Sequence, residues 1–404
     1  MKKIFISFMC CFLAFCCFSG CAASFESNRI KTTVQKKKPN EEAVTDGLSD
    51  YLSFSAELFK AAGDGNSIVS PASLLTAFGM AFNGADGETL SEAEKTFGMS
   101  ISELNEFCLA LSSDISKLND KGTVRIKTSN SLWIESSYKD YIKQEYVDEV
   151  AKYYDPEIFS LPFDNSAVKK INEWTDKNTD GMIKKLVEKL TDMRLALINA
   201  LFVKGDWADK AENTFKNNFT CLDGKVTEGN FFGGNGGLYE TENAYAIKRY
   251  LQCGAYYLGV LPKEAAYFAD YCDNFNGDEL NGLIKNKSTR KAIYTMPEFT
   301  AEFSYNLIPM LKSMGISRAF GENADFSKMT SSPYNLYIDE AVQKTFIEVN
   351  KSGLKAAAAT FIGVKDSAEL PIEEPLRLTF DRPFLYAICM PDGTPLFIGK
   401  QVEI

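Results

Sequence analysis

The sequence predicts one large α+β domain, and three observations carry that reading. First, residues 335–349 are rich in apolar and β-branched side chains in rough alternation, and another apolar run ends at Trp207; both read as strands. Second, Asp86-Gly87-Glu88-Thr89 reads as a turn feeding a helix N-terminus, so helices accompany the strands. Third, no Pro/Ser/Gly-rich linker divides residues 46–404 and no repeat period is present. A length of 404 residues would allow two or three domains, but an undivided pattern favours one. With 45% hydrophobic and 13% aromatic residues, the chain can fill a substantial core.

In chain order, residues 1–20 read as a targeting segment. Lys2 and Lys3 precede an apolar stretch over 4–18, shorter than the ~20 residues a membrane span needs. The stretch ends in Phe18-Ser19-Gly20-Cys21, which resembles a bacterial lipobox with Phe18 where Leu is usual. That resemblance implies cleavage before Cys21, thioether lipidation of its sulfur, and a lipid-anchored protein of the bacterial cell envelope, exposed beyond the cytoplasm. Residues 21–46 are polar and read as a flexible tether, with Lys36-Lys37-Lys38-Pro39 as a solvated part of it.

Removing residues 1–20 takes away two lysines and no acid, so 42 basic side chains face 54 acidic ones, a net of −12. An acidic body argues against nucleic-acid partners and favours encounter with basic proteins. Of ten cysteines, Cys10, Cys11, Cys16 and Cys17 leave with the signal and Cys21 would carry lipid. Cys108, Cys221, Cys253, Cys272 and Cys389 remain, an odd number without paired spacing, so they read as buried small hydrophobes rather than a disulfide framework.

The chain has no histidine, which removes Ser-His, Cys-His and His-metal chemistry as well as the usual physiological pH switch. Ser-x-x-Lys occurs at Ser136, Ser166, Ser288 and Ser352, without a Ser-Asp-Asn or Lys-Thr-Gly partner motif, so a Ser-Lys hydrolase has little support. Gly233-Gly234-Asn235-Gly236-Gly237 lacks the Lys-Ser/Thr of a phosphate loop and reads as a flexible strand-to-strand turn. Asp86-Gly87-Glu88-Thr89 lacks the alternating oxygen ligands of a calcium loop. No metal or cofactor is implied, and the chain is expected not to be an enzyme.

The segment after the strand at 335–349 is the most informative. It meets Gly353, then Ala356-Ala357-Ala358-Ala359-Thr360, then a stretch over 361–376 with Gly363, Pro371, Pro375 and five charges. A core strand thus feeds a loop of more than ~15 residues, the kind that is functional or disordered. Small residues can lie extended in water and can also enter a gap between two strands.

Glu348-Val349-Asn350, Gly353 and 356–360 together resemble the proximal hinge of the serpins. Four further blocks are similar to serpin motifs and follow in family order. They are Asn66-Ser67-Ile68-Val69-Ser70-Pro71-Ala72-Ser73-Leu74-Leu75 with the turn Asn83-Gly84-Ala85-Asp86-Gly87-Glu88-Thr89 that follows it, Asn199-Ala200-Leu201-Phe202-Val203-Lys204-Gly205-Asp206-Trp207, Asp381-Arg382-Pro383-Phe384-Leu385, and Leu396-Phe397-Ile398-Gly399-Lys400. The resemblance implies a serpin domain over 47–404 with three β-sheets, about nine helices and an exposed reactive-centre loop at about 350–376. It implies a monomeric suicide inhibitor of serine proteases: the protease cleaves the loop, forms a covalent acyl-enzyme, and is carried across the molecule as the loop inserts into the central sheet. The alternative is a non-inhibitory serpin acting as a binding or structural module.

The resemblance assigns a sheet-opening network to Ser70, Ser73, Asn199 and Gln343, with Trp207 where insertion begins. Gln343 stands where histidine is usual, and keeps a donor and an acceptor. In an inserted strand Leu354, Ala356, Ala358 and Thr360 would share one face by period-two alternation. Leu354 is bulkier than the small hydroxyl residue usual there, which predicts slower insertion, and Lys351 stands where an acid is usual. The reactive bond falls at Ser367–Ala368 by offset from Gly353. A longer loop measured back from Pro383 leaves Val364–Lys365, Lys365–Asp366 and Leu370–Pro371 open, Pro371 disfavouring the last. Ser367 or Val364 would suit elastase-like proteases, and Lys365 trypsin-like ones.

Overall fold

The computed structural model describes residues 27–181, 183–190, 193–209, 211, 213–354 and 374–404. Nine α-helices are present among the described residues: α1 (Ala43–Ala61), α2 (Pro71–Phe82), α3 (Gly87–Phe97), α4 (Ile101–Asn119), α5 (Gln144–Tyr153), α6 (Asn165–Asn178), α7 (Phe268–Asn274), α8 (Gly277–Lys285) and α9 (Leu307–Met314). Local chemistry sets their starts. The Ser70 hydroxyl caps α2, with Pro71 at its first position, where a missing N–H costs nothing. Ser100 and Glu103 form a reciprocal capping box on α4, and the Asp164 carboxylate accepts two N–H groups at the start of α6. Every residue of α2 except Thr76 is buried, which makes it the central core helix.

A six-stranded sheet runs in the order β10 (Phe299–Asn306), β11 (Glu340–Asn350), β12 (Gly353–Leu354), β4 (Leu195–Asp206), β2 (Val124–Glu135), β3 (Glu157–Leu161). The larger network has nine strands. Its path runs β1 (Ser67–Val69), β15 (Pro395–Gln401), β14 (Phe384–Cys389), β8 (Tyr256–Pro262), β7 (Ala244–Tyr250), β6 (Val226–Glu240), β9 (Lys287–Pro297), β13 (Leu376–Thr379), with β5 (Thr214–Thr220) also on β6. The three sheets expected by resemblance therefore appear as two hydrogen-bonded networks. The long β6 joins two lobes, pairing β5 over its first part, β9 from Phe231 to Tyr239, and β7 at its end. Strands β8, β14 and β15 are buried along their whole length.

Three expectations are corrected. The run Gly233-Gly234-Asn235-Gly236-Gly237 is no turn; it lies inside β6, opposite residues 291–295 of β9. A Cβ at Gly234 would sit 2.5 Å from the Tyr294 ring and 2.7 Å from the Arg249 guanidinium, so the missing side chain makes room for those two. The strand expected from Asn335 begins only at Glu340. Before it, Ile338 donates to the Ala319 carbonyl, and the Asp339 carboxylate accepts the N–H groups of Arg194 and Leu195, bonds that lie outside any ladder.

The tether is the third correction. From residue 27 onward it lies docked on the body. Asn28 accepts the Ser160 N–H at 2.9 Å and Ile30 donates to the Ile158 carbonyl at 2.8 Å, an antiparallel pairing on the free edge of β3. Lys36 reaches Asp155 at 2.5 Å and Lys37 reaches Glu106 at 2.6 Å, so the lysine run is drawn onto the acidic body. Surface pairs of this kind contribute about 0–1 kcal/mol each. The backbone pairing does more, because it covers an otherwise open sheet edge.

Candidate functional site: the hinge and the gap in the central sheet

In the six-stranded sheet, β4 and β11 are parallel neighbours along only part of their length, Glu340–Thr345 against Ala196–Leu201. Above Thr345 the two strands part, and the chain after β11 doubles back into the opening. Gly353 and Leu354 pair antiparallel with both sides, Gly353 opposite Asn350 and Asp206, Leu354 opposite Val349 and Gly205. The start of the loop thus already forms a two-residue strand between β4 and β11.

The residue types permit this. A Cβ at Gly353 would sit 2.3 Å from the Gly205 carbonyl oxygen, so no other residue fits there without moving the backbone. Leu354 is fully buried in the main hydrophobic core. Asn350 makes the turn, its side-chain oxygen accepting the N–H of Ser352 at 2.9 Å and of Gly353 at 3.2 Å.

Trp207 closes the top of the gap. Its indole N–H donates to the Asn350 carbonyl at 2.8 Å and its backbone N–H to the Ser352 carbonyl at 3.1 Å. The ring is fully buried, meets Tyr257 edge-on, and lies under the Arg249 guanidinium at 5.0 Å. Burial holds the Tyr257 phenol well above its ordinary pKa, so it stays neutral there. Lys351 gives its backbone N–H to the Glu298 carboxylate at 3.0 Å. The acid usual at position 351 is thus absent, but an acid stands across from it.

Below the gap, where β4 and β11 are still paired, the four network residues meet. Gln343 and Asn199 lie directly opposite in the parallel register. The Gln343 side chain accepts the Ser70 N–H at 2.9 Å and donates to the Ser70 carbonyl at 3.0 Å and to the Asn199 side-chain oxygen at 3.3 Å. Asn199 donates to the Ser73 carbonyl at 2.6 Å and to the Asn130 side chain at 2.5 Å. Ser70 Oγ donates to the Leu396 carbonyl and caps the Ser73 N–H, while the buried Ser73 Oγ has no partner among the described residues. Asn130, Thr345, which donates to the Ile68 carbonyl, Glu298 and Arg249 are members that sequence reasoning missed. Asn130 becomes visible only through strand register, as the residue opposite Asn199 on β2.

Ala356, Ala358, Thr360, Val364, Lys365, Asp366, Ser367 and Ala368 lie outside the described residues, as does Cys21. The five body cysteines are free thiols and all are buried. Among the described residues, no group of three or more acidic or thiol side chains is placed to hold a metal ion.

A strand started in a sheet gap invites comparison with known proteins. An uncharacterized serpin-like protein of Thermococcus kodakarensis is 30% identical over 384 residues, covering 91% of this chain and 87% of its own. Alpha-1-antiproteinase of Rattus norvegicus is 27% identical, with 96% of each covered. Among solved structures, the thermophilic serpin tengpin in its native state superposes with a TM-score of 0.82 at 31% identity, covering 93% of this chain and 98% of tengpin. Tengpin in its latent state gives 0.75 at 28% identity, covering 92% and 100%. The family model described as serpin (serine protease inhibitor) matches residues 51–404, and the chain belongs to that family.

Proposed function

We propose that this protein is a suicide-substrate inhibitor of serine proteases. The observation that carries the reading is the lodging of Gly353 and Leu354 between β4 and β11. A strand that continued from Leu354 would run antiparallel to both neighbours. It would replace one parallel ladder, Glu340–Thr345 with Ala196–Leu201, by two antiparallel ones, which are the more stable kind. About ten inserted residues would gain on the order of ten ladder hydrogen bonds at ~0.5–1.5 kcal/mol each. Cleavage beyond Thr360 frees the loop to take that path while the acyl-enzyme still joins it to the protease. The chain acts as the protease's substrate and catalyses nothing itself. The bond offered is Ser367–Ala368, with Val364–Lys365 and Lys365–Asp366 as alternatives. Lipidation at Cys21 would hold the inhibitor at the cell envelope.

The test is incubation with elastase, trypsin, chymotrypsin, subtilisin and papain. The expected product is a covalent complex stable to denaturing electrophoresis, and a released C-terminal fragment beginning at Ala368, Asp366 or Lys365. Simple cleavage by every protease, with no complex, would overturn inhibition and leave a binding or structural role. Ala356→Arg or Ala358→Arg should turn the inhibitor into a plain substrate, because each puts an unpaired charge on the face that must be buried, at a cost of several kcal/mol.

A further inference from the structure

The docked N-terminal segment fixes where the chain enters the body. Asn28 pairs beside Ser160, next to Leu161, which lies opposite Glu135 at the end of β2. The turn Ser136–Tyr141 follows at once. This is the pole of the central sheet away from the hinge: β4 runs from Leu195 at this end to Gly205 beside Leu354. At ~3.3 Å per residue, that separates the two poles by about 33 Å.

The same pole carries two exposed tyrosines. Tyr334 is 70% exposed and Tyr141 37% exposed. The segments that bear them are joined, since Ser331 donates to the Tyr141 carbonyl at 2.9 Å and the Tyr138 hydroxyl reaches the Asn335 carbonyl at 3.4 Å. Lys139 and Asp140 beside them are both exposed and of opposite sign. The other large exposed apolar side chains among the described residues, Phe215, Leu222, Val226, Tyr250, Tyr267 and Ile293, lie on the larger network or its connections.

We propose that this pole rests on the lipid headgroup surface, with Tyr141 and Tyr334 in contact with it, and that the hinge pole points away from the membrane. The proposal rests on the lipid anchor at Cys21 proposed above. Cys21 lies six residues before Ser27, and six residues span at most about 20 Å. The pole that carries Ser27 therefore stays within about 20 Å of the bilayer, less than the distance between the poles, and an upright molecule holds its hinge beyond that. Tyrosine rings suit this setting because an apolar body and a polar tip match the headgroup layer. A mixed-sign surround makes the contact aromatic rather than electrostatic.

The test uses the chain from Cys21 onward, coupled through that thiol to a maleimide lipid in phosphatidylcholine vesicles; the body thiols are buried, so Cys21 takes the label. Hydrogen exchange is followed by mass spectrometry, with uncoupled protein plus the same vesicles as reference. Exchange should slow several-fold at 136–143 and 328–335 and stay unchanged at 203–209 and 350–354. Adding phosphatidylglycerol should not alter the pattern. A Tyr141→Ser/Tyr334→Ser variant with unchanged melting should lose the protection, and a twenty-residue Gly/Ser insertion before Ser27 should reduce it. Protection at the hinge, equal protection at both poles, a requirement for anionic lipid, or full protection in the tyrosine variant would each overturn the proposal. The anchor is tested separately, by the mass of the N-terminal peptide from the membrane fraction. An unlipidated Cys21 there would overturn the anchor, and the proposal with it, whatever the vesicles show.

Discussion

Replacing Gln343 by Met tests what keeps the gap closed below Leu354. Met keeps the length and nearly the volume of Gln, so the substitution removes hydrogen bonds with little change in packing. Three bonds go, two to Ser70 and one to Asn199. The Ser70 carbonyl still accepts from the Leu74 N–H at 3.0 Å, so it is not orphaned. The Ser70 N–H is orphaned, in a residue with no exposed surface. An unsatisfied buried donor costs about 1–3 kcal/mol, and the lost bond to Asn199 adds about 1 kcal/mol, so the native state should weaken by about 2–4 kcal/mol. Urea unfolding followed by tryptophan emission measures this, with Trp133, Trp174 and Trp207 as reporters. The midpoint should fall with an unchanged slope, since the surface exposed on unfolding is the same. A change below about 0.5 kcal/mol would refute the view that Gln343 ties β11 to α2 and β4, because surface substitutions produce changes that small.

The remaining predictions concern charge and titration. Glu298 accepts the backbone N–H of position 351, so Lys351→Glu should place like charges close together and cost about 1 kcal/mol, recovered in the Lys351→Glu/Glu298→Lys pair; a double-mutant cycle without coupling would show that the two side chains do not sense each other. Burial pushes the Cys108, Cys272 and Cys389 thiols up to about 12, so they should resist maleimide at neutral pH until the protein unfolds. Thiols of the unfolded chain ionise near ~8.5 while the folded ones keep their protons, so their stabilisation is complete below that pH and is lost as pH rises toward 12. Replacing each with Ala should flatten that alkaline decline in melting curves. Gln343→His would introduce the chain's one histidine at a buried site, where burial disfavours the charged form. Stability of that variant should therefore fall as pH drops from ~7 to ~5, where the wild type has no histidine to titrate; equal pH profiles would show that position 343 admits solvent.

What could be read from the sequence was local, and what could not depended on distant partners. Ser70-Pro71 announces a capped helix because the cap is made within three residues. The small residues after Gly353 announce a segment that can enter a sheet, since the requirement is written in their size. The docked N-terminal segment carries no such signal. Its partners Glu106, Asp155, Ile158 and Ser160 lie far along the chain, so a polar stretch with a lysine run read as a tether. The glycines of β6 misled for a similar reason: glycine usually punctuates, but here its missing side chain serves Tyr294 and Arg249 on neighbouring strands. Leu354 is the instructive case. Read alone, its bulk predicts an obstacle at the start of insertion. In the fold it is already fully buried between Val349 and Gly205, so that step lies behind the native state and not ahead of it. Whatever resists further entry must act below Leu354. The structures met there are the parallel ladder from Glu340 to Thr345 and, within it, the bonds from Gln343 to Ser70 and Asn199. On the insertion proposed above, the brake on loop entry would fall to this ladder and to the bonds within it from Gln343, a residue the hinge motif does not contain.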